Sequence, residues 1–350
     1  MAINRVISSQ VLNEQEESFN LSLRPKRLDE CIGQDRLRQK LSIAIAAAKQ
    51  RGEPLEHILF YGPPGLGKTT LANVVANEMG VAIRCSSGPA LVKAGDIMGL
   101  LTNLNYGDIL FIDEIHRLST PVEEFIYPAM EDFKVDFTVD SGLHAKTINF
   151  PLKRFTLIGA TTRAGLLSAP LRSRFGMLYH VDFYTVEELT RILIRSAGLL
   201  GLSHEPGALE RIAARSRGTP RIANRLLKRV RDYAQVKGSG VLSIEIVDKA
   251  LAMEQIDHLG LDELDRAFLR ALANVYNGGP AGIEALAATL GEERDTLEDV
   301  VEPYLLQIGF VRRTKRGREI TAQACSHLGI ELRPKARQPI EQGLFDPEEI

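Results

Sequence analysis

The segment Gly62–Thr69 constrains the fold of this chain more than any other part of its sequence. Its residues GPPGLGKT satisfy the pattern G-x-x-x-x-G-K-[ST]. The segment follows the apolar run Ile58–Tyr61 and precedes a helical pattern over Thr70–Met79, which is the strand–loop–helix context of a phosphate-binding loop. Glycines let backbone N–H groups converge on phosphate oxygens, and the helix N-terminus favours negative charge. A nucleoside triphosphate site is therefore predicted; a dinucleotide loop would need glycine at Thr70.

Individual residues of this loop have separable expected roles. Lys68 is expected to reach the β- and γ-phosphates, and the Thr69 hydroxyl is expected to bind Mg²⁺. The alternative is a glycine-rich turn without a ligand, which the presence of every fixed residue of the pattern disfavours. The predicted phosphate contacts are Gly62, Gly65, Leu66, Gly67, Lys68, Thr69 and Thr70.

A second motif, Asp108–Glu114, is an apolar run that ends in two carboxylates. Buried parallel strands need continuous apolar residues, so the acids belong at the carboxyl end of the strand, where ligands bind. We expect Asp113 to hold Mg²⁺ and Glu114 to orient and deprotonate the attacking water. Alone, the Asp-Glu pair is equally consistent with a helix cap; its combination with the phosphate loop favours ATP hydrolysis.

The pattern around these motifs predicts an α/β fold. Short apolar strands alternate with helical patterns, which is typical of a parallel sheet flanked by helices. Between the third and fourth strands, residues 134–150 alternate apolar and polar side chains about a turn at Asp140–Gly142, which predicts an inserted hairpin. The predicted sheet strands are His57–Tyr61, Ala82–Ser86, Asp108–Asp113, Phe155–Ala160 and Met177–Val181.

The chain as a whole is expected to contain three folded domains. Residues 21–182 form the large nucleotide-binding domain, and residues 183–256 have helical spacing typical of a small lid domain. In residues 257–333, helical patterns over Asp262–Tyr276, Ile283–Leu290 and Glu292–Gln307 precede a basic hairpin, which is the winged-helix order. Residues 1–20 are expected to be a flexible arm and residues 334–350 a disordered tail.

Composition narrows the compartment and the mode of nucleic-acid binding. The net charge is −2, so contact with DNA must come from local basic patches. The three cysteines form no CxxC pair, which disfavours a zinc ribbon and fits a reducing cytoplasm. The N-terminus lacks a signal-peptide pattern, and no 18-residue apolar stretch is present. A soluble cytoplasmic protein is expected.

Five motifs give the chain a specific likeness. In order, GPPGLGKTTLA, FIDEIHRL, IGATTRAG, APLRSRFG and GTPRIANRLL make residues 20–330 resemble the RuvB family of AAA+ Holliday-junction branch-migration motors. The resemblance implies a P-loop AAA+ ATPase domain, a helical lid and a C-terminal winged-helix domain. It further implies ATP with Mg²⁺, a homo-hexameric ring on duplex and four-way junction DNA, and the partners RuvA and RuvC.

The resemblance also assigns residues beyond the two motifs. Thr162 corresponds to sensor 1, with Thr161 as its close rival; two threonines after a strand are more often an ordinary cap. Arg174 corresponds to an arginine finger that completes a neighbour's site, because guanidinium stabilises charge on the transferring phosphoryl group. A surface ion pair is the simpler alternative. Arg221 corresponds to sensor 2 on the lid.

A further set of residues is placed near the nucleotide mainly by resemblance. The adenine side is expected to be formed by residues from the start of the large domain and the start of the lid, and a short segment before the hairpin also approaches the nucleotide. These residues are Leu23, Arg24, Ile32, Gly33, Gln34 and Tyr184 for the adenine side, and Glu131, Asp132 and Phe133 for the segment.

Three classes of AAA+ function compete. A DNA-translocating motor is favoured by the winged helix. A clamp-loader-type switch often carries a zinc module, which would need CxxC pairs that are absent here. A protein remodeller would be favoured by an aromatic pore loop or a GAFTGA loop, and neither is present. The branch-migration motor is the favoured interpretation.

DNA contact is expected through the wing, without base recognition. The helix Glu292–Glu302 holds six acidic residues and one basic residue, Arg294. The negatively charged major groove of DNA would therefore repel most of this helix. The turn 312–319 holds five basic residues in eight. Arg313 and Arg318 are predicted to contact phosphates, with Arg294 as a helix-end contact that matches the family pattern. The alternative is a solubilising loop.

Two segments are candidates for partner contacts. Val135, Phe137 and Val139 form an apolar stripe on the hairpin 134–150, which predicts docking of RuvA. The alternative is that this stripe packs on its own domain. In the tail, Gln342–Phe345 is loosely similar to peptides that bind sliding clamps.

Overall fold

A five-stranded parallel sheet organises the first part of the chain. The computed structural model describes residues 22–139 and 146–331. The sheet strands are β1 (Ile58–Tyr61), β2 (Ile83–Ser87), β3 (Ile109–Asp113), β6 (Thr156–Thr161) and β7 (Met177–His180), and the hairpin strands between them are β4 (Lys134–Val139) and β5 (Lys146–Pro151). The sheet has strand order β2-β3-β6-β1-β7, and each sheet strand lies within one or two residues of its predicted bounds. The predicted α/β fold with a parallel sheet is confirmed.

The apolar side chains of β3 are buried on both faces of the sheet, because successive residues of the strand point to opposite sides. Ile109 and Phe111 belong to one hydrophobic cluster, whereas Leu110 and Ile112 belong to another. The first cluster includes side chains of α1 (Asp35–Arg51) and α2 (Lys68–Met79), and the second includes α3 (Ala94–Thr102) and α4 (Thr120–Glu131). Burial on both faces leaves the carboxyl edge of the sheet as the place for polar side chains.

Residues 183–262 add a separate helical cluster to the same compact unit. The Thr185 hydroxyl accepts from the backbone N–H of Glu188, and the Glu188 carboxylate accepts from the backbone N–H of Thr185; this capping box begins the helix Val186–Leu199. Residues 257–262 belong to this first unit, since Arg217 Nε donates to Gly260 O at 2.7 Å. The remaining helices of the unit are α5 (Ala169–Ser173), α6 (Val186–Leu199), α7 (Ala208–Ala214), α8 (Pro220–Lys237) and α9 (Ile244–Met253).

The predicted hairpin is present as the antiparallel pair β4–β5. Val135 is fully buried in the cluster that covers α3 and α4, so this residue packs on its own domain. The side chains of Phe137 and Val139 lie outside the described part of the structure. Phe150, which pairs with Val135, is 41% exposed.

The second compact unit begins at Glu263. Its predicted order of helices and basic hairpin is present, although the first and third helices contain wider turns at Ala271–Val275 and Leu297–Val301. A final helix, Ala322–Leu328, was not predicted; Thr321 caps its start and Gly329 its end. No helix of the described residues is long and apolar enough to cross a membrane. The elements are α10 (Glu263–Arg270), α11 (Ile283–Leu290), α12 (Arg294–Thr296), α13 (Glu302–Gln307), β8 (Val311–Thr314), β9 (Gly317–Ile320) and α14 (Ala322–Leu328).

Candidate nucleotide-binding site

A cavity of about 420 Å³ lies at the carboxyl edge of the sheet, beside the ends of β1 and β3. Its walls come from the phosphate loop, the Asp-Glu pair, the start of the large domain and the lid helices. Sixteen of the predicted catalytic and nucleotide-contact residues line it: Leu23, Arg24, Ile32, Gly33, Gln34, Gly65, Leu66, Gly67, Lys68, Thr69, Thr70, Asp113, Glu114, Thr162, Tyr184 and Arg221.

The backbone of the loop explains its glycines. Gly62 has φ +140°, and a Cβ there would lie 2.4 Å from the carbonyl oxygen of Val181. Gly67 has φ +98° and immediately precedes α2, so the first N–H groups of that helix face the cavity edge. Any side chain at Gly62 would push the loop away from the sheet, and the loop's concave shape depends on this close approach.

Lys68 is held inside the loop that it belongs to. Its Nζ donates to the carbonyl oxygens of Gly62 and Pro63, both at 2.8 Å. The residue is 7% exposed, and burial lowers the pKa of its ammonium from 10.5 to about 8. A buried ammonium with only neutral acceptors gains strongly from a nearby anion. The geometry therefore suits a phosphate ligand.

Thr69 and Asp113 form a pair of hard oxygen donors. The Thr69 hydroxyl donates to Asp113 Oδ2 at 3.3 Å, and Asp113 Oδ1 accepts from the backbone N–H of Glu114 at 2.9 Å. Among the described residues, no three His, Cys, Asp or Glu side chains cluster as a metal site. One carboxylate and one hydroxyl, completed by phosphate oxygens and water, is the ligand set that Mg²⁺ commonly takes. The pair fits Mg²⁺ bound together with a nucleotide.

Glu114 lies next to this pair in a constrained turn. Its φ is +47°, uncommon for a residue other than glycine, and its carbonyl oxygen accepts from the N–H of Arg117. The Glu114 carboxylate is 44% exposed and accepts from Arg117 Nη1 at 3.1 Å. The carboxylate therefore lies at the cavity wall with access to water, as a general base requires.

The two threonines after β6 have different environments. Thr161 is fully buried; its hydroxyl hydrogen-bonds His116 Nδ1 at 2.9 Å and accepts from the N–H of Arg163 at 3.0 Å. Thr162 lines the cavity, and Thr161 does not. Of the two candidates, Thr162 is therefore the one placed to contact a nucleotide.

Five predicted nucleotide contacts do not line the cavity: Gly62, at the start of the phosphate loop, and four residues that lie close to one another. Arg174 Nη2 pairs with Glu131 Oε1 at 3.2 Å, at the end of α4. Asp132 pairs with Lys134, and Phe133 packs edge-on against Phe155. None of Arg174, Glu131, Asp132 and Phe133 lines the cavity of its own chain.

The cavity also contains residues that sequence reasoning did not assign. Cys31 lines it, as do Arg195 and Asn224 from the lid helices. Arg195 Nη1 donates to the carbonyl oxygen of Leu23 at 2.7 Å, which ties the lid to the start of the large domain. Asn224 lies three residues after Arg221 on α8, so helical spacing alone places it on the same face.

In the second unit, the predicted wing arginines are engaged with one carboxylate. Glu302 is fully buried and accepts from Arg313 and from Arg318, whose Nε donates to it at 2.8 Å. These arginines hold the pKa of Glu302 below its usual value although burial opposes them. The Arg313 side chain is 56% exposed, whereas that of Arg318 is 12% exposed. Arg294 pairs with Glu284 and Glu298.

Comparison with known proteins identifies the family. The family model described as the Holliday junction DNA helicase RuvB P-loop domain matches residues 23–181. The RuvB AAA lid domain matches residues 184–257, and the RuvB C-terminal winged helix domain matches residues 258–329. The chain belongs to the RuvB family.

Individual RuvB proteins match along nearly their whole length. The Holliday junction branch migration complex subunit RuvB of Desulfosudis oleivorans is 58% identical over 312 residues, covering 89% of this chain and 91% of that protein. The solved structure of the Thermotoga maritima RuvB Holliday junction branch migration motor is 53% identical with a TM-score of 0.82. It covers 89% of this chain and 100% of its own. The resemblance to RuvB that the motifs indicated is confirmed, together with the P-loop AAA+ ATPase class.

Proposed function

We propose that this chain is an ATP-driven motor that pulls duplex DNA arms and so drives branch migration of Holliday junctions in recombination and repair. One observation carries the proposal. In a chain of the RuvB family, Lys68, the Thr69–Asp113 pair and Glu114 line one cavity at the carboxyl edge of the sheet. Phosphate binding, metal binding and water activation are thereby available at a single site.

The residues of this cavity divide the work of hydrolysis. Lys68 holds the β- and γ-phosphates, and Thr69 and Asp113 hold Mg²⁺, which neutralises phosphate charge when bound. Glu114 orients the attacking water and accepts its proton. Thr162 contacts the water or the γ-phosphate, and Arg221 reaches the γ-phosphate from the lid. Leu23, Arg24 and Tyr184 enclose the adenine side.

Arg174 is proposed to complete the site of a neighbouring subunit. It lies outside the cavity of its own chain, together with Glu131, Asp132 and Phe133. A heterologous contact between identical subunits closes into a ring when its rotation permits, and we propose a homo-hexamer. Every subunit would then contribute one phosphate loop and one finger.

ATP affinity should fall as the pH rises above 8. Burial lowers the pKa of Lys68 to about 8, so the free chain loses this proton above that pH, whereas bound phosphate favours the charged form. Binding must then take up a proton, and affinity should decrease by about tenfold per pH unit until the pKa of the bound form. Titration with a fluorescent ATP analogue between pH 7 and pH 9.5 measures this. Affinity that stays constant over the range would contradict the role of Lys68.

The wing is proposed to contact the phosphate backbone of DNA. Arg313→Ala should weaken binding equally on two unrelated duplexes and reduce the salt slope by about 0.9, since one phosphate contact is lost. Arg318→Ala should weaken binding similarly and also lower the melting temperature, because buried Glu302 loses a partner. The measurement is a binding titration over a salt series. Unchanged affinity, or a loss confined to one sequence, would refute backbone contact.

Contacts with partner proteins are proposed at the hairpin and the tail. RuvA is proposed to dock on the hairpin 134–150, with RuvC acting on the same junction. Phe137→Ser should weaken pull-down of RuvA and leave the ATPase activity measured without DNA unchanged. Phe150→Ser, on the other strand of the hairpin, is the matched variant. Loss of basal ATPase would indicate a core role for the hairpin.

The clamp-like residues Gln342–Phe345 lie outside the described residues, and binding of a tail peptide to sliding clamp would test them.

Electron microscopy of the protein with ATP and duplex DNA tests the assembly. We expect a six-fold ring threaded by a single duplex. A monomer on DNA, or an assembly that leaves the duplex outside, would argue against a translocating ring and favour a switch-type function.

A further inference from the structure

An aromatic ring lies beneath the guanidinium of Arg174. The Arg174 Cζ atom is 4.3 Å from the centroid of the Tyr127 ring. The Arg174 side chain is 20% exposed, so this contact is largely shielded from water. Attraction between a cation and an aromatic face is strongest where water is excluded. Tyr127 therefore contributes to the position of the guanidinium.

The edge of the same guanidinium is held by two oxygen atoms. Nη1 donates to the carbonyl oxygen of Pro170 at 2.6 Å, and Nη2 pairs with Glu131 at 3.2 Å. Nε is buried and has no hydrogen-bond partner among the described residues. Because few hydrogen bonds hold the edge of the guanidinium, its contact with the face of the Tyr127 ring contributes most to fixing the plane of the group.

Tyr127 is in turn fixed to the helix that leads to Arg174. Its hydroxyl donates to Glu123 Oε1 at 2.5 Å, and the Ser168 hydroxyl donates to the same oxygen. Ser168 caps α5 by accepting from the N–H of Leu171 at 3.2 Å. Burial and the hydrogen bond to Glu123 raise the pKa of Tyr127, so the hydroxyl stays protonated and continues to donate. One carboxylate thus joins the ring on α4 to the start of α5.

We propose that Tyr127 is a positioning residue for the arginine finger: its ring face, anchored through Glu123 and Ser168, sets the direction in which Arg174 meets a neighbour's γ-phosphate. This inference rests on the proposed role of Arg174. Tyr127 does not line the cavity of its own chain, so its effect on hydrolysis passes to the adjacent subunit.

Substitutions at Tyr127 distinguish the contribution of the ring face from that of the hydroxyl group. Tyr127→Met keeps side-chain bulk without an aromatic face and should lower kcat for ATP by about five- to thirtyfold, the range that corresponds to a shielded cation–π contact. KM and ATP affinity should not change. Tyr127→Phe keeps the ring face but loses the hydroxyl anchor to Glu123, so its kcat should lie between those of the wild type and Tyr127→Met. Trifluorophenylalanine at position 127 keeps ring size but weakens its negative face, and should fall between Phe and Met. Tyr106→Met, at an exposed tyrosine away from Arg174, is the matched control.

Mixing subunits tests the direction of the effect. Lys68→Ala subunits retain Tyr127 and Arg174, so they should restore hydrolysis at the phosphate loops of Tyr127→Met subunits. Two results would overturn the inference: no recovery of activity in mixed rings, or equal kcat for the Phe, trifluorophenylalanine and Met variants. Either result leaves the role of Arg174 itself intact, provided that Arg174→Ala still lowers the rate of hydrolysis. If Arg174→Ala hydrolyses ATP at the wild-type rate, the proposed finger fails first.

Discussion

Lys68→Ala should abolish ATP binding, whereas Glu114→Gln should bind ATP and stall before hydrolysis. Lys68 Nζ is buried within the phosphate loop, where we propose that it contacts phosphate in the ground state. Glu114 is proposed to act only on the attacking water, so its loss should affect the transition state. Removal of a general base typically lowers the rate by about 10²–10⁴-fold. The two variants should therefore separate binding from turnover.

Binding and turnover are measured independently on the same preparations. Isothermal titration gives the affinity, and phosphate release under single-turnover conditions gives the rate. Lys49→Ala and Glu210→Gln, both at exposed helix positions, are the matched controls and should behave as wild type. Wild-type turnover by Glu114→Gln would show that another group activates the water.

Arg174→Ala should bind ATP normally and hydrolyse it about 10³–10⁵-fold more slowly, as expected for loss of an arginine finger. The residue lies outside the cavity of its own chain, so its contribution to binding there is small. Its guanidinium is proposed to act only when charge develops on the transferring phosphoryl group. Arg172→Ala, two residues earlier and exposed, is the matched control.

A mixing experiment shows whether the finger acts between subunits. Arg174→Ala subunits retain the phosphate loop, and Lys68→Ala subunits retain the finger. Mixed rings should regain part of the ATPase activity, because some interfaces pair an intact loop with an intact finger. If co-assembly is demonstrated and activity does not return, the shared site is refuted.

The sequence was most informative where local pattern and chemistry coincide. The continuous apolar run before Asp113 predicted both a buried strand and the polar edge where it ends, and the structure has both. Lys68 and Thr69 could be placed because the loop sequence fixes their order relative to the helix. The short helix Ala322–Leu328 was missed, since its few apolar residues give no clear helical period.

Long-range contacts explain what the sequence could not decide. Thr161 and Thr162 are neighbours with the same hydroxyl; Thr161 is buried with its hydroxyl hydrogen-bonded to His116, whereas Thr162 lines the cavity. Glu302 was interpreted as repelling DNA, yet it is buried and holds two wing arginines. Charge counts along a helix do not reveal which carboxylate faces inward.

A synthetic four-way junction tests most directly whether ATP hydrolysis at this site moves a DNA junction. Wild-type protein with purified RuvA should convert the labelled junction to duplex products only when ATP and Mg²⁺ are present. Glu114→Gln should bind both ATP and the junction and yield no product. Product formation by Glu114→Gln at the wild-type rate, or by wild-type protein without ATP, would contradict an ATP-driven branch-migration motor.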